Sequence, residues 1–240
     1  MSEKLHLKLV LGDFAVSPQE VLLVARHGRI SEEIEDPDAI RRELYRAVQQ
    51  IHAKEHIQFR CHIDIGIIAA DIAVSRIYHY QGEIRRVAYP QLGASNARNF
   101  QPKPHEIRLL QVAGCLAELA SNPPSRPRGL SLIMHELSEY ATAEDLRIQK
   151  STLYPVPLLP LEDGKRLIAN FLTVIARCAS LPDESLPPCD LDERWGHHGN
   201  DYSKCRTACR VRNICHQWKQ AKEDYIRIFT ANNAALSHPE

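Results

Sequence analysis

Two stretches near the C-terminus, Pro188-Cys189-Asp190-Leu191-Asp192-Glu193-Arg194-Trp195 and Lys204-Cys205-Arg206-Thr207-Ala208-Cys209-Arg210-Val211-Arg212-Asn213-Ile214-Cys215, place four cysteines within 27 positions of a 240-residue chain. A tetrahedral metal ion or an iron–sulfur cluster takes four thiolates converging on one point. The C-x3-C-x5-C triplet with one distant partner can deliver them from a single loop and helix start. Cys189 is the expected fourth ligand beside Cys205, Cys209 and Cys215. His197 or His198 in its place would make a three-cysteine, one-histidine zinc site, and Cys178 is a reserve ligand. The remaining cysteines, Cys61, Cys115 and Cys178, lie in apolar stretches and read as buried core thiols.

Composition sets the frame for that motif. Hydrophobic residues make up 44% of the chain, enough to build a core, so one large domain or a core with a small appendage is expected. No run of about 18 apolar residues is present to cross a bilayer, and Met1-Ser2-Glu3-Lys4-Leu5-His6 lacks the layout of a secretory signal. A soluble cytoplasmic protein without a membrane partner is therefore expected, and in a reducing compartment an odd set of seven cysteines argues for metal binding over disulfides.

Basic and acidic residues balance at 30 each, so global charge announces no nucleic-acid partner. Local charge differs. Lys204, Arg206, Arg210, Arg212, Lys219 and Lys222 fall between Tyr202 and Lys222 with no acidic residue among them, beside Trp218. Such a run can hold phosphates while a ring stacks bases, or it can be a solvated helix face that offsets the charge of a thiolate cluster. Trp195 and Trp218 likewise read either as shields for a cluster or as stacking platforms.

Upstream, the periodicities predict an α+β core. Leu5–Val10 alternates as a strand, and the apolar run Val21–Ala25 is expected to pair with it. Asp36 and Pro37 open a helix to about Ala53 that carries Ile40, Leu44, Val48 and Ile51 on one face. Gln58–Ala70, Ile72–Tyr80 and Ile84–Tyr89 read as antiparallel strands, the last two joined by a Gln81-Gly82 turn. A helix over about His105–Ala120, a strand over Gly129–Leu137 and a helix over about Glu162–Cys178 complete the core, and a last helix is expected from about Asn213 to Phe229. The expected division is a core over 1–180 and a cysteine module over 181–240.

This order of elements, closed by Cys189, Trp195, Cys205, Cys209, Cys215-His216-Gln217-Trp218, resembles the RecB-like branch of the PD-(D/E)XK nucleases that carry a C-terminal iron–sulfur module, a group including phage exonucleases and CRISPR-adaptation nucleases. The resemblance implies a restriction-endonuclease-like core, a small mixed sheet flanked by helices, and a structural [4Fe-4S] cluster on the four cysteines, with zinc as the alternative. It also implies a nuclease site of an acidic residue, an acidic-x-Lys pair and a helix Gln around Mg²⁺ or Mn²⁺. By that resemblance Asp64 in His62-Ile63-Asp64-Ile65-Gly66 would be a metal ligand and Gln111 the helix Gln.

The acidic-x-Lys pair is missing between Ile65 and Glu106. Its nearest counterpart is Glu83-Ile84-Arg85, and Arg stays charged where Lys can act on water. Either Glu83 and Arg85 replace the pair in an active Mg²⁺- or Mn²⁺-dependent DNA exonuclease, or they form a polar hairpin turn and the site is broken. The broken site is the preferred reading. It implies a nucleic-acid-binding, non-catalytic subunit of a DNA- or RNA-processing or defence complex, with other protein subunits as partners. A zinc-stabilised protein–protein interaction subunit is a further alternative. For Asp64 a structural role, paired with Arg60 or Arg76, stands beside the catalytic one, and Asp71 reads as a turn residue at a strand end or a second acidic ligand. No nucleophile sits in a recognisable catalytic turn and no Gly-rich phosphate loop is present.

Overall fold

The computed structural model describes residues 4–28, 39–121, 125–186 and Cys215. The chain divides into two compact units, Met1–Ala15 with Asp36–Thr173 and Val16–Glu35 with Val174–Glu240. In the C-terminal half the edge between them falls at Thr173/Val174, inside the helix Leu161–Cys178, and Val16–Glu35 groups with the C-terminal residues.

The first unit is a mixed seven-stranded sheet with helices on both faces. Its strands are β1 (Leu5–Val10), β2 (His56–Asp64), β3 (Ile68–Tyr80), β4 (Glu83–Val87), β5 (Gln91–Leu92), β6 (Gly129–Leu137) and β7 (Ile148–Val156). Strand β3 is the spine. It runs antiparallel to β2 over its whole length, and its other edge is shared between β1, parallel along Ile68–Ala73, and β4, antiparallel along Tyr78–Tyr80. Gln81 and Gly82 join β3 to β4 with φ of 50° and 86°, the backbone twist that two-residue hairpins favour. Strand β6 then pairs parallel with β4 and β5 and antiparallel with β7.

Alternation along β6 sorts the two faces. Ile133 and Leu137 point toward α2 (Ala39–Ile51), where they join Leu44, Tyr45, Val48, Tyr78 and Val87 in one buried cluster. Burying a side chain such as Leu137 removes it from water at a gain of roughly 1.5 to 3 kcal/mol. Leu130 points the opposite way, onto α4 (Pro104–Ala120), where a Cβ at Gly114 would stand 3.1 Å from its side chain. Helix α4 opens on Pro104, with Glu106 accepting from the Lys103 N–H at 3.0 Å, and α5 (Leu161–Cys178) brings Gly164 so close to Cys115 that an added Cβ would meet its sulfur at 2.8 Å. A short α3 (Gly93–Arg98) links β5 to α4.

Several elements differ from the sequence expectation: the break between the strands expected over Gln58–Ala70 and Ile72–Tyr80 falls at residues 65–67, β5 and α3 are additional, and two further segments change type or appear. The run Val21–Ala25 is not a strand partner of β1 but part of the helix α1 (Pro18–His27). Ser17 accepts from the Glu20 N–H at 3.0 Å, Pro18 occupies the first turn and Gly28 ends the helix at φ 75°, so capping chemistry decides what a short apolar run leaves ambiguous. Strand β7 went unforeseen because its alternation is mostly polar and Pro155 interrupts it. As a strand that pairs with β6 alone among the described residues, it tolerates the missing N–H.

In the second unit Arg26 ties α1 to the end of α5. Its guanidinium donates to the carbonyls of Cys178, Ala179 and Leu181 at 3.3, 2.8 and 2.8 Å and forms an ion pair with Asp183. His27 meets the same carboxylate at 2.6 Å. Burial opposes ionisation of Asp183, yet these two partners hold its carboxyl below the usual range.

Candidate functional site

The two carboxylates expected to share a metal ion lie at opposite ends of β3. Asp64 stands opposite Ala69 and Glu83 opposite Tyr80, eleven residues further along the strand. At about 3.3 Å per residue eleven residues of straight strand span up to about 36 Å, whereas Mg²⁺ draws its ligands to about 2 Å. The register thus sets Asp64 and Glu83 at opposite ends of β3.

Each carboxylate is engaged where it stands. Asp64 closes the tight turn into β3 by accepting from the Gly66 N–H at 2.8 Å and pairs with Lys4, not with Arg60 or Arg76. The Lys4 hydrogen bond, then that of Gly66, holds its carboxyl below the ordinary value. Glu83 accepts from Nε and Nη2 of Arg85 at 3.0 and 2.9 Å, and the Arg85 guanidinium lies 4.4 Å over the Tyr80 ring. Glu83 and Arg85 thus form a hairpin clamp, the polar-turn reading of this segment. Gln111 is on α4 and donates to the Pro157 carbonyl at 3.2 Å, a tie between α4 and the segment after β7.

Asp71 is not at a strand end. It sits mid-strand in β3, between Lys8 of β1 and His62 of β2, and His62 Nδ1 meets its carboxylate at 2.8 Å. That hydrogen bond lowers its pKa. With Lys4, His6, Arg60 and Asp64 these residues make an exposed row of charged and imidazole groups across β1, β3 and β2. Among the described residues no three His, Cys, Asp or Glu side chains converge as a metal site.

Cys61, Cys115 and Cys178 are buried, as expected of core thiols. Burial raises all three thiol pKa values, that of Cys115 to about 11, so at neutral pH they stay protonated. Cys215 is partly exposed and has no disulfide partner among the described residues. Its expected co-ligands Cys189, Cys205 and Cys209, the alternatives His197 and His198, the basic residues Lys204, Arg206, Arg210, Arg212, Lys219 and Lys222, both tryptophans and the expected helix over 213–229, apart from Cys215, lie outside the described residues.

The sequence reading missed a polar chain on the α2 face that is buried at His135. His52 Nε2 meets His135 Nε2 at 2.9 Å, His135 Nδ1 meets Ser151 Oγ at 2.8 Å, and His52 Nδ1 meets Glu55 at 3.3 Å. An ionised carboxylate only accepts, so His52 carries its proton on Nδ1 and accepts on Nε2. It follows that His135 donates from Nε2 and accepts the Ser151 hydroxyl on Nδ1. Burial, with His52 adding a smaller share, pushes the His135 pKa down to about 4, and the ring stays neutral. Neither histidine stands in a recognisable motif; only the register of β6 on β7, with His135 opposite Ser151, and the end of α2 bring them together.

No family model and no curated protein matches this chain. A solved structure described as the crystal structure of SSO0001 is similar over 90% of this chain and 88% of that one, at 12% identity and a TM-score of 0.49.

Proposed function

We propose that this protein is a nucleic-acid-binding, non-catalytic subunit of a DNA- or RNA-processing assembly, built on a restriction-endonuclease-like core and closed by a C-terminal [4Fe-4S] module on Cys189, Cys205, Cys209 and Cys215. One observation carries the reading. The carboxylates that should converge on a metal stand at opposite ends of β3, each already neutralised by a basic side chain, Lys4 at one end and Arg85 at the other. Phosphodiester hydrolysis by this family's route needs those carboxylates on one ion, whereas binding does not. The basic run among the cysteines supplies charge for phosphate contact, and the resemblance of the cysteine spacing to the nuclease modules supports the cluster over zinc.

The test combines three measurements on anaerobically purified full-length protein. Iron and sulfide are expected in the amounts of one cluster; zinc alone would move the reading to a zinc module. A labelled single-stranded oligonucleotide is expected to bind with affinity falling as salt rises, and to stay intact with Mn²⁺ or Mg²⁺. Cleavage abolished by Asp64→Ala or Glu83→Ala would sink the non-catalytic assignment, and no binding even at low salt would sink the nucleic-acid partner.

A further inference from the structure

The face of the sheet opposite α2 carries a cleft of about 390 Å³. Its floor is Ile57 and Phe59 of β2 with Ile84 of β4, and its wall is the last turn of α4, where Ala117 and Ala120 are too small to fill it. His79, Arg126 and Arg128 stand at its rim, exposed, and among the described residues no acidic one lines it. Among the described residues no carboxylate pairs with any of these three; the only hydrogen bond from the side chain of Arg126 is Nη2 to the Leu159 carbonyl at 3.2 Å.

The position of Arg128 depends on the hairpin beside it. Its N–H donates to the Gly82 carbonyl at 2.8 Å, and its side chain lies so close over Gly82 that a Cβ there would meet Cδ at 2.9 Å. The missing side chain at Gly82, needed also for a φ of 86°, lets the guanidinium stem lie on the turn and reach the rim.

We propose that this cleft takes one nucleotide of a single-stranded nucleic acid, the base against Phe59 and the alanine wall and the backbone phosphates on Arg126 and Arg128. This rests on the binding role proposed above and assigns a contact to residues of the first unit. The charge dictates the orientation. The carbonyl end of α4 repels an anion within its last turn, so the phosphate belongs at the arginine rim and the uncharged base at the wall. Volume and lining fit the same choice, since small-ligand sites are mostly apolar clefts of about 300 to 1,000 Å³ with a few placed polar groups. A base can enter only after leaving its stack, which favours a single strand over a duplex.

The experiment is fluorescence anisotropy of a labelled oligothymidylate with the full-length protein across a salt series, with an unlabelled duplex as competitor. Arg126→Gln with Arg128→Gln should reduce the slope of log affinity against log salt by about 1.4, two cations at about 0.7 each for a single strand. Phe59→Leu keeps the apolar volume and removes the ring, and should weaken binding about 5- to 100-fold at unchanged slope. Thermal melting of both variants confirms that they fold. A wild-type protein that binds while the double arginine variant keeps its affinity and slope would overturn the cleft and leave the binding role standing. An unchanged Phe59→Leu would overturn base stacking in favour of an anionic protein segment, and a duplex competing as well as a single strand would overturn the single-strand assignment. A wild-type protein that binds nothing overturns the binding role itself.

Discussion

The two ends of β3 hold similar chemical groups in opposite surroundings. At the Asp64 end, Lys4, His62, Asp64 and Asp71 meet in water; Asp64 and Asp71 keep about half or more of their side chains exposed, at 47% and 63%. At the Tyr80 end, His52, His135, Glu83 and Arg85 are layered over Tyr78, Tyr80 and the α2 cluster, and His135 is only 2% exposed. Water screens the first set, so its pairs form and break at little cost. In the second set the buried His135 must satisfy both ring nitrogens internally, and it is held between Ser151 and His52, which reaches on to Glu55.

The contrast predicts a graded series, read by urea unfolding of the full-length protein. Tyr78→Ala, at the buried end, should cost about 3 to 5 kcal/mol, since it opens a cavity under α2; a loss below about 1 kcal/mol would mean that this end is not packed as described.

Next comes pH. The folded His135 pKa of about 4 lies below the ordinary value of 6.5, so between these values the unfolded chain binds more protons. Stability should therefore rise with pH across that window, by on the order of 3 kcal/mol, and level off above it. His135→Phe should flatten this part of the profile, and an unchanged slope would reassign it to other groups.

Glu83→Gln should cost about 1 kcal/mol, because Arg85 keeps its stacking on Tyr80 but loses a charged acceptor. Asp64→Asn should leave the unfolding midpoint where it is. A measurable loss there would erase the distinction between the two ends.

Much of the core was legible because its signals are local. The α2 face of Leu44 and Val48, the Gln81-Gly82 turn, and the apolar positions of α4, β6 and α5 follow from periodicities of 3.6 and 2 and from turn chemistry. Segment Val21–Ala25 is not decided by its own residues, because five apolar residues fit a strand or a helix equally and the deciding bond from the Glu20 N–H to Ser17 lies outside the run. The candidate site was less legible. Asp64, Glu83 and Gln111 could be named, but their separation is set by the register of β2, β3 and β4, which no short motif encodes.

The sequence by itself determined the order of most elements, the buried cysteines and the clustering of four thiols after the core. All of these depend on residue type and near-neighbour spacing. Only the tertiary structure decided that two acidic residues stand a strand's length apart, that two histidines 83 positions apart share a hydrogen bond, and that two arginines border an apolar cleft. The reason is physical. Periodicity fixes which face a side chain takes, while its partners depend on which strands pair and in what register, and that is settled by packing of the whole sheet.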